Sequence, residues 1–140
     1  MFLPDVNFWL ALAFRSHKCH ASARNWMQSA APRSVVFCRV TQLGFLRLAT
    51  NLKAFPTEAV PMNQAWRIYD ELLADDRIGF AEEPDLIEEQ LRKFSQLQTF
   101  STNVWTDAYL AAFAVAADFE MVTFDKGFAQ FKNLRRTILS

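Results

Sequence analysis

Short runs of strand-forming residues alternate with longer segments of helical periodicity along the whole of this 140-residue chain. This alternation constrains the fold most, because strands separated by helices form parallel sheets that are covered on both faces. The strand-like runs lie at Met1–Val6, Ser34–Cys38, Ile78–Phe80, Met121–Phe124 and Thr137–Leu139. Apolar residues recur at helical spacing in His20–Ala30, Thr41–Leu52, Asn63–Leu73, Asp85–Leu97 and Ala108–Ala116. We therefore predict an α/β fold of three layers, with a mostly parallel central sheet flanked by helices.

The chain is expected to form one domain over residues 1–140. It has only 3 glycines and 5 prolines and shows no linker or internal repeat. Its apolar stretches are shorter than a membrane span, and Asp5 precedes the apolar run 6–14 without a cleavage site after it, so we expect a cytoplasmic protein with no membrane contact. Cys19 and Cys38 are then expected to be reduced.

The charges cancel overall but are distributed unevenly. Fifteen basic residues balance fifteen acidic ones, which excludes a polycation or a disordered acidic tail. Seven bases and one acid lie in residues 1–57, whereas nine acids and one base lie in residues 70–89. This asymmetry can attract a polyanion to one side of the molecule. The simpler interpretation is that residues 82–89 are a solvated helix start, where acids are favoured.

Three carboxylates stand in apolar surroundings, unlike most acids of the chain. Asp5 ends the first strand-like run, Asp107 opens an apolar helix, and Asp125 follows the strand-like run 121–124. Ligands of parallel α/β sheets bind beyond the carboxyl ends of the strands, so we expect the three aspartates to meet there. A divalent cation such as Mg²⁺ or Mn²⁺ would offset the cost of burying them.

Each aspartate also has a local structural explanation. Asp5 could accept backbone N–H bonds at the end of its strand, and Asp125 could belong to a turn. Asp107 could be a favourable charge in the first turn of its helix, with Thr106 as the N-cap. Both explanations stay open at the level of the sequence.

Four segments in order resemble the PIN-domain family, and more closely its VapC toxins. They are LPDVN at residues 3–7, CRVTQLGFLRL at 38–48, TDAYLAA at 106–112 and VTFDKGF at 122–128. The resemblance covers essentially the whole chain. It implies a PIN-like fold and a metal-dependent ribonuclease in which Asp5, Asp107 and Asp125 match the catalytic, metal-binding acids.

The resemblance departs from the family's pattern at Gln42, where many members carry a glutamate. Gln42 is still counted among the catalytic residues, because an amide can orient a water. In this interpretation Asn7, Asn103 and Thr123 support the carboxylates. The predicted contacts with the phosphates of RNA are Arg39, Arg47 and Lys126. Arg47 could instead pair with Asp5 or Asp125.

The resemblance also implies partners. They are an RNA substrate, a cognate antitoxin protein and a second copy of the chain, with an apolar helix face around Trp66, Tyr69 and Leu73 as the dimer contact. The alternative function is a PIN-like module that binds RNA or protein with weak or no cleavage, which Gln42 and the neutral charge favour. A receiver-like phosphoryl-transfer protein is a third possibility, weakened because the expected paired acids and late lysine are missing.

Two other patterns are discounted. His17, Cys19 and His20 lack the distant partner pair of a zinc site and are interpreted as a helix entrance. The 14 phenylalanines and 4 tryptophans suggest stacking on bases, but most of them fall at core-facing positions.

Overall fold

A computed structural model describes all residues, 1–140, and contains one five-stranded sheet. The strands are β1 (Phe2–Pro4), β2 (Val35–Phe37), β3 (Ile78–Phe80), β4 (Glu120–Thr123) and β5 (Arg136–Ile138). Their order in the sheet is β3-β2-β1-β4-β5, and every neighbouring pair is parallel. The predicted parallel α/β architecture is confirmed, and all five strands lie within three residues of their predicted bounds.

Six α-helices cover the two faces of the sheet. They are α1 (Val6–Ala13), α2 (His20–Met27), α3 (Arg39–Ala49), α4 (Met62–Ala74), α5 (Ile87–Phe94) and α6 (Val104–Ala117), and a short 3₁₀ helix spans Lys126–Gln130. One core of large side chains, including Trp9 and Phe37, lies under α1 to α4. A second core, including Phe113, lies under α5 and α6 on the other face. The three predicted layers are therefore present.

Helix α1 is the one element that the sequence pattern did not predict. The first strand was expected to reach Val6, but it ends at Pro4 and Val6 begins the helix. Residues 6–13 are apolar except for the exposed Asn7, so they show no helical periodicity. The signal that was available is Asp5, whose extended backbone and side chain cap the helix.

Helix α6 brings Asp107 to the carboxyl edge of the sheet. It precedes β4 and runs back antiparallel to it, so its N-terminus lies where the parallel strands end. Residues 110–114 are all buried, as the apolar sequence predicted. The helix begins at Val104, two residues before the predicted cap Thr106, which places Asp107 in its first turn.

The fold also bears on the cysteines, on the start of α2 and on the predicted dimer contact. Cys19 and Cys38 are both free, and His20 begins α2 as expected. The predicted dimer contact is wrong for two of its three residues. Tyr69 is only 4% exposed, and Leu73 packs against the core. No helix has the length and apolar character required to cross a membrane.

Candidate active site

Asp5 is fixed by β1 on one side and α1 on the other. Its backbone N–H donates to the carbonyl of Val122, and its carboxylate Oδ1 accepts from the N–H of Phe8 at 3.0 Å. Its side chain is nearly buried, with 7% of its surface exposed. The strand-end role that the sequence left open is therefore real, but it uses only one carboxylate oxygen.

Thr123 connects Asp5 with Asp125. The register of β1 and β4 pairs Pro4 with Val122, so the next residues, Asp5 and Thr123, lie side by side. The hydroxyl of Thr123 donates to Asp5 Oδ2 at 2.5 Å and accepts from the backbone N–H of Asp125 at 2.9 Å. This buried hydroxyl fixes the second oxygen of Asp5 and the start of the segment that carries Asp125.

Asp125 caps the 3₁₀ helix that follows β4. Its Oδ1 accepts from the N–H of Gly127 at 2.7 Å, as the turn interpretation predicted, and its side chain is exposed. Asp107 is half-buried, and only burial and neighbouring charges act on its carboxylate.

The three carboxylates repel one another, and no cationic side chain compensates them. None of them takes part in any of the four salt bridges of the molecule. Burial raises the pKa of Asp5 to about 6, and the charge of Asp125 adds to this effect against the lowering by the Thr123 and Phe8 hydrogen bonds. Burial and the charges of Asp125 and Asp5 raise the pKa of Asp107 to about 6. The edge of the sheet therefore carries negative charge that no side chain of the protein compensates.

The side chains do not, however, converge into a closed cage. No three acidic, histidine or cysteine side chains lie close enough to hold one ion together, so the expectation that all three aspartates meet around one cation is not met. Mg²⁺ commonly keeps several of its waters and takes only one or two carboxylates directly. Uncompensated carboxylates at a partly open edge fit such a hydrated hard cation.

This aspartate edge and the sheet order agree with the sequence comparisons. A profile described as the PIN domain matches residues 2–134. The chain belongs to the PIN-domain family.

Within this family, the chain is similar to mycobacterial VapC proteins. Ribonuclease VapC41 of Mycobacterium tuberculosis is 43% identical over 145 aligned residues, which cover 100% of this chain and 99% of that protein. Ribonuclease VapC38 of the same species is 33% identical, covering 91% of this chain and 86% of that protein. The resemblance to the VapC branch is thereby confirmed.

Solved structures show the same fold. VapBC2 from Rickettsia felis, bound to a DNA fragment from its promoter, contains a chain with a TM-score of 0.71 and 11% identity, covering 99% of this chain and 98% of that one. VapBC-1 from nontypeable Haemophilus influenzae gives a TM-score of 0.68 at 18% identity, covering 98% and 96%. The fold is thus that of PIN-domain VapC proteins.

Gln42, which takes the place of the PIN-domain glutamate in the sequence interpretation, is engaged elsewhere. Its Oε1 accepts from the Arg39 guanidinium at 2.5 Å, and it is 6% exposed. It also makes a hydrogen bond with Tyr69 of α4, which lowers the pKa of that phenol against the larger raising effect of burial. Gln42 therefore faces α4, and it makes no hydrogen bond with Asp5, Asp107 or Asp125.

The three side chains that were predicted to contact RNA phosphates differ in whether other groups of the protein already bind them. Arg39 is held by Gln42 and lies over the ring of Phe80, 5.0 Å from its centroid. Arg47 and Lys126 are exposed and form no ion pair, so the alternative that Arg47 pairs with Asp5 or Asp125 is wrong.

The two asparagines that were predicted to support the carboxylates make no hydrogen bond with them. Asn7 is exposed, and its Oδ1 lies 2.9 Å from Nε2 of His17 in a hydrogen bond. Asn103 stands at the N-cap position of α6 but makes no side-chain capping bond. Of the three predicted supports, only Thr123 makes a hydrogen bond with one of the aspartates.

Sequence reasoning missed the close approach of α3 to α1. A Cβ atom on Gly44 would lie 2.6 Å from Cγ2 of Val6, the residue after Asp5. Glycine inside a helix costs roughly 1 kcal/mol relative to alanine, so the contact explains its use here. An isolated glycine within a helical pattern was the available signal. Gly44 thus lets α3 pack directly behind the segment that carries Asp5.

Proposed function

We propose that this protein is a divalent-metal-dependent endoribonuclease and the toxin of a toxin–antitoxin pair. The observation that carries the proposal is the set of uncompensated aspartates at the carboxyl edge of the sheet, two of which have pKa values raised to about 6. Such perturbed carboxylates mark functional sites when no structural ion pair explains them.

The relatives support this assignment. The two mycobacterial proteins that match over most of their length are named ribonucleases. The structural neighbours include VapC20 of Mycobacterium tuberculosis, described as a toxin that cleaves the sarcin–ricin loop, with a TM-score of 0.64 at 16% identity. RNA is therefore the substrate that we propose for this chain.

Asp5 and Asp107 are the proposed holders of Mg²⁺ or Mn²⁺, with Asp125 as the third acid. When bound, the ion supplies an acidified water and neutralises the charge that develops on the phosphodiester. The hydroxyl of Thr123 keeps Asp5 in one orientation, because it occupies Oδ2. Asp125 keeps the local potential negative and so favours cation entry.

The proposed phosphate contacts are Arg47 and Lys126, whose charges are free. Arg39 can contribute only through the guanidinium donors that Gln42 does not use. Asn7 and Asn103 would reach the site only through water. Gln42 acts in this account by holding Arg39.

The proposed protein partners are a cognate antitoxin and a second copy of the chain. Two structural neighbours are VapBC assemblies, which supports an antitoxin partner here. We also propose that the protein acts in the cytoplasm, where its proposed RNA substrate would be found.

The test is cleavage of RNA by the purified, partner-free protein. Structured and unstructured RNA are incubated with Mg²⁺ or Mn²⁺, and the parent is compared with Asp5→Asn and Asp107→Asn. We expect cleavage that EDTA abolishes and that both substitutions remove. Asp70→Asn, on the exposed surface of α4, is the matched control and should cleave like the parent.

Two outcomes would contradict the proposal. Cleavage that survives both substitutions would show that the chemistry lies elsewhere. Tight RNA binding without cleavage under any of these conditions would instead support the binding-module function.

A further inference from the structure

A groove of about 970 Å³ begins beside the aspartates and runs between α3, the start of α4 and the start of α6. Val6 and Thr106 both line it, and they are the chain neighbours of Asp5 and Asp107. A strand whose phosphate lies at the aspartates would therefore have this groove directly next to it.

The lining of the groove is apolar, with a single charge. Leu43 and Trp66 line it and keep 57% and 45% of their surfaces exposed. Exposed apolar surface of this kind marks a binding region. Arg47 is the one charged side chain in the lining, no acid is present, and Asn103 and Thr106 offer hydrogen bonds.

We propose that this groove binds an unpaired base of the RNA next to the bond that is cut. Trp66 and Leu43 would contact the base, and Arg47 would contact a flanking phosphate. The inference rests on the proposed ribonuclease function and adds a contact site for one unstacked base beside the bond that is cut. Aromatic side chains commonly bind splayed-out bases of single strands in this way.

The charge within the groove, rather than that of the whole molecule, favours a nucleotide as the occupant. Lysine and arginine supply most of the sequence-independent affinity for nucleic acid, but this chain has a net charge of zero and an acidic site. Apolar contact with a base supplies affinity that does not depend on charge. The lone Arg47 among neutral lining residues then complements a single phosphate.

The experiment measures binding of a fluorescently labelled octaribonucleotide by anisotropy in EDTA, where the RNA stays intact. Trp66→Ala is expected to weaken binding by about tenfold and Trp66→Phe by much less, because phenylalanine keeps a stacking surface. Arg47→Gln should weaken binding and lower the slope of log affinity against log salt by about 0.7. Matched controls outside the groove are Leu52→Ala, also highly exposed, and Arg67→Gln on α4; both should bind within twofold of the parent.

A second arm tests for the base itself. Octamers with one abasic nucleotide are compared with the intact octamer, position by position. For the parent, one position should cost about tenfold in affinity, and for Trp66→Ala the same position should cost nothing further.

The outcomes separate this inference from the proposed function. RNA cleavage in Mn²⁺ together with unchanged binding by Trp66→Ala and Arg47→Gln would overturn the base site and leave the nuclease intact. A change only in self-association, measured by analytical ultracentrifugation, would assign the groove to contact between copies and also overturn it. Absence of both binding and cleavage in the parent would overturn the ribonuclease proposal and this inference together.

Discussion

The acids of residues 70–89 are more numerous than those at the carboxyl edge of the sheet, yet only in the first set do any acids, Asp75, Glu88 and Glu89, form ion pairs. Asp75 lies 2.6 Å from the guanidinium of Arg77, and hydrogen bonding from that side chain lowers the pKa of Asp75. At the sheet edge the direction is reversed, because burial and like charges raise the pKa values of Asp5 and Asp107. The same side-chain type is thus stabilised in one region and destabilised in the other.

The acids at the exposed start of helix α5 are also paired with cationic side chains. Glu88 and Glu89 pair with Arg92 and Lys93 one turn later, and all four side chains are well exposed. This confirms the simpler interpretation of the acidic run as a solvated helix start. The number of acids in a region therefore does not locate a functional site. Acids that have no cationic side chain as a partner do.

The comparison is tested most strongly by catalysis. Asp107→Asn is expected to reduce RNA cleavage by at least about 100-fold, the scale of losing one preorganised electrostatic group. Asp75→Asn removes an ion-paired acid of residues 70–89 and should leave the rate within twofold. Initial rates on one labelled RNA in Mn²⁺ measure both. Equal losses in the two variants would erase the distinction between the regions.

The next effect is on stability and has opposite signs in the two regions. Asp5→Asn removes a charge that the fold disfavours and keeps an N-cap, so we expect a gain of about 1–3 kcal/mol in the free energy of unfolding at pH 7.5 in EDTA. Asp75→Asn breaks a partly exposed ion pair and should cost up to about 1 kcal/mol. Urea denaturation checks both values. A loss of stability in Asp5→Asn would contradict the account.

The pH dependence follows from the same shift. The folded-state pKa of Asp5, about 6, lies above its unfolded value of 3.8, so the folded state binds more protons between these values. The free energy of unfolding in EDTA should therefore fall as the pH rises from about 4 to about 6. Asp5→Asn should reduce this slope to the share that Asp107 contributes, because the pKa of Asp107 is also raised to about 6, whereas Asp75→Asn should leave the slope unchanged. A slope that is unchanged in Asp5→Asn would assign the titration to another group.

Packing behind Asp5 gives a smaller effect. Gly44→Ala places a methyl group 2.6 Å from Val6 Cγ2 and is expected to cost about 1–2 kcal/mol, since overpacking exceeds the gain in helix propensity. Adding Val6→Ala should restore both stability and cleavage. Gly79→Ala is the control, because its Cβ would lie 3.7 Å from Val36 in ordinary contact. Melting temperatures and cleavage rates of the parent and the three variants test this. Failure of the double variant to recover would show that Gly44 acts in another way.

The smallest effect is expected at Gln42. Its side chain bonds to Arg39 and Tyr69 and not to the aspartates, so Gln42→Glu should change the affinity for Mn²⁺ by no more than about twofold. Calorimetric titration measures this. A large gain in affinity would show that the side chain reaches the ion after all.

Much of this fold was predictable because its strands are short, apolar and well separated. Ile78–Phe80 was placed to the residue, and the burial of α6 followed from its uniform apolar sequence. Helix α1 was not predictable by periodicity, because a helix that is apolar at all but one position has no polar face to reveal it.

Asp5 and Asp125 were predictable from their positions after strands and Asp107 from its position at the start of a helix, but the arrangement of the three was not. Their lack of a common cage depends on side-chain directions, which spacing along the chain does not set. The orientation of Gln42 toward α4 is another example. It depends on which face of α3 meets α1, and in the structure Gly44 lies on that face, close to Val6.

The most direct test of the cation site is Mn²⁺ binding followed by electron paramagnetic resonance on the metal-free protein. The parent should bind Mn²⁺, Asp75→Asn should bind it with equal affinity, and Asp5→Asn and Asp107→Asn should each lose at least about tenfold in affinity, the scale expected for a lost metal contact. Equal Mn²⁺ affinity in all four proteins would contradict the assignment of the sheet edge as the metal site.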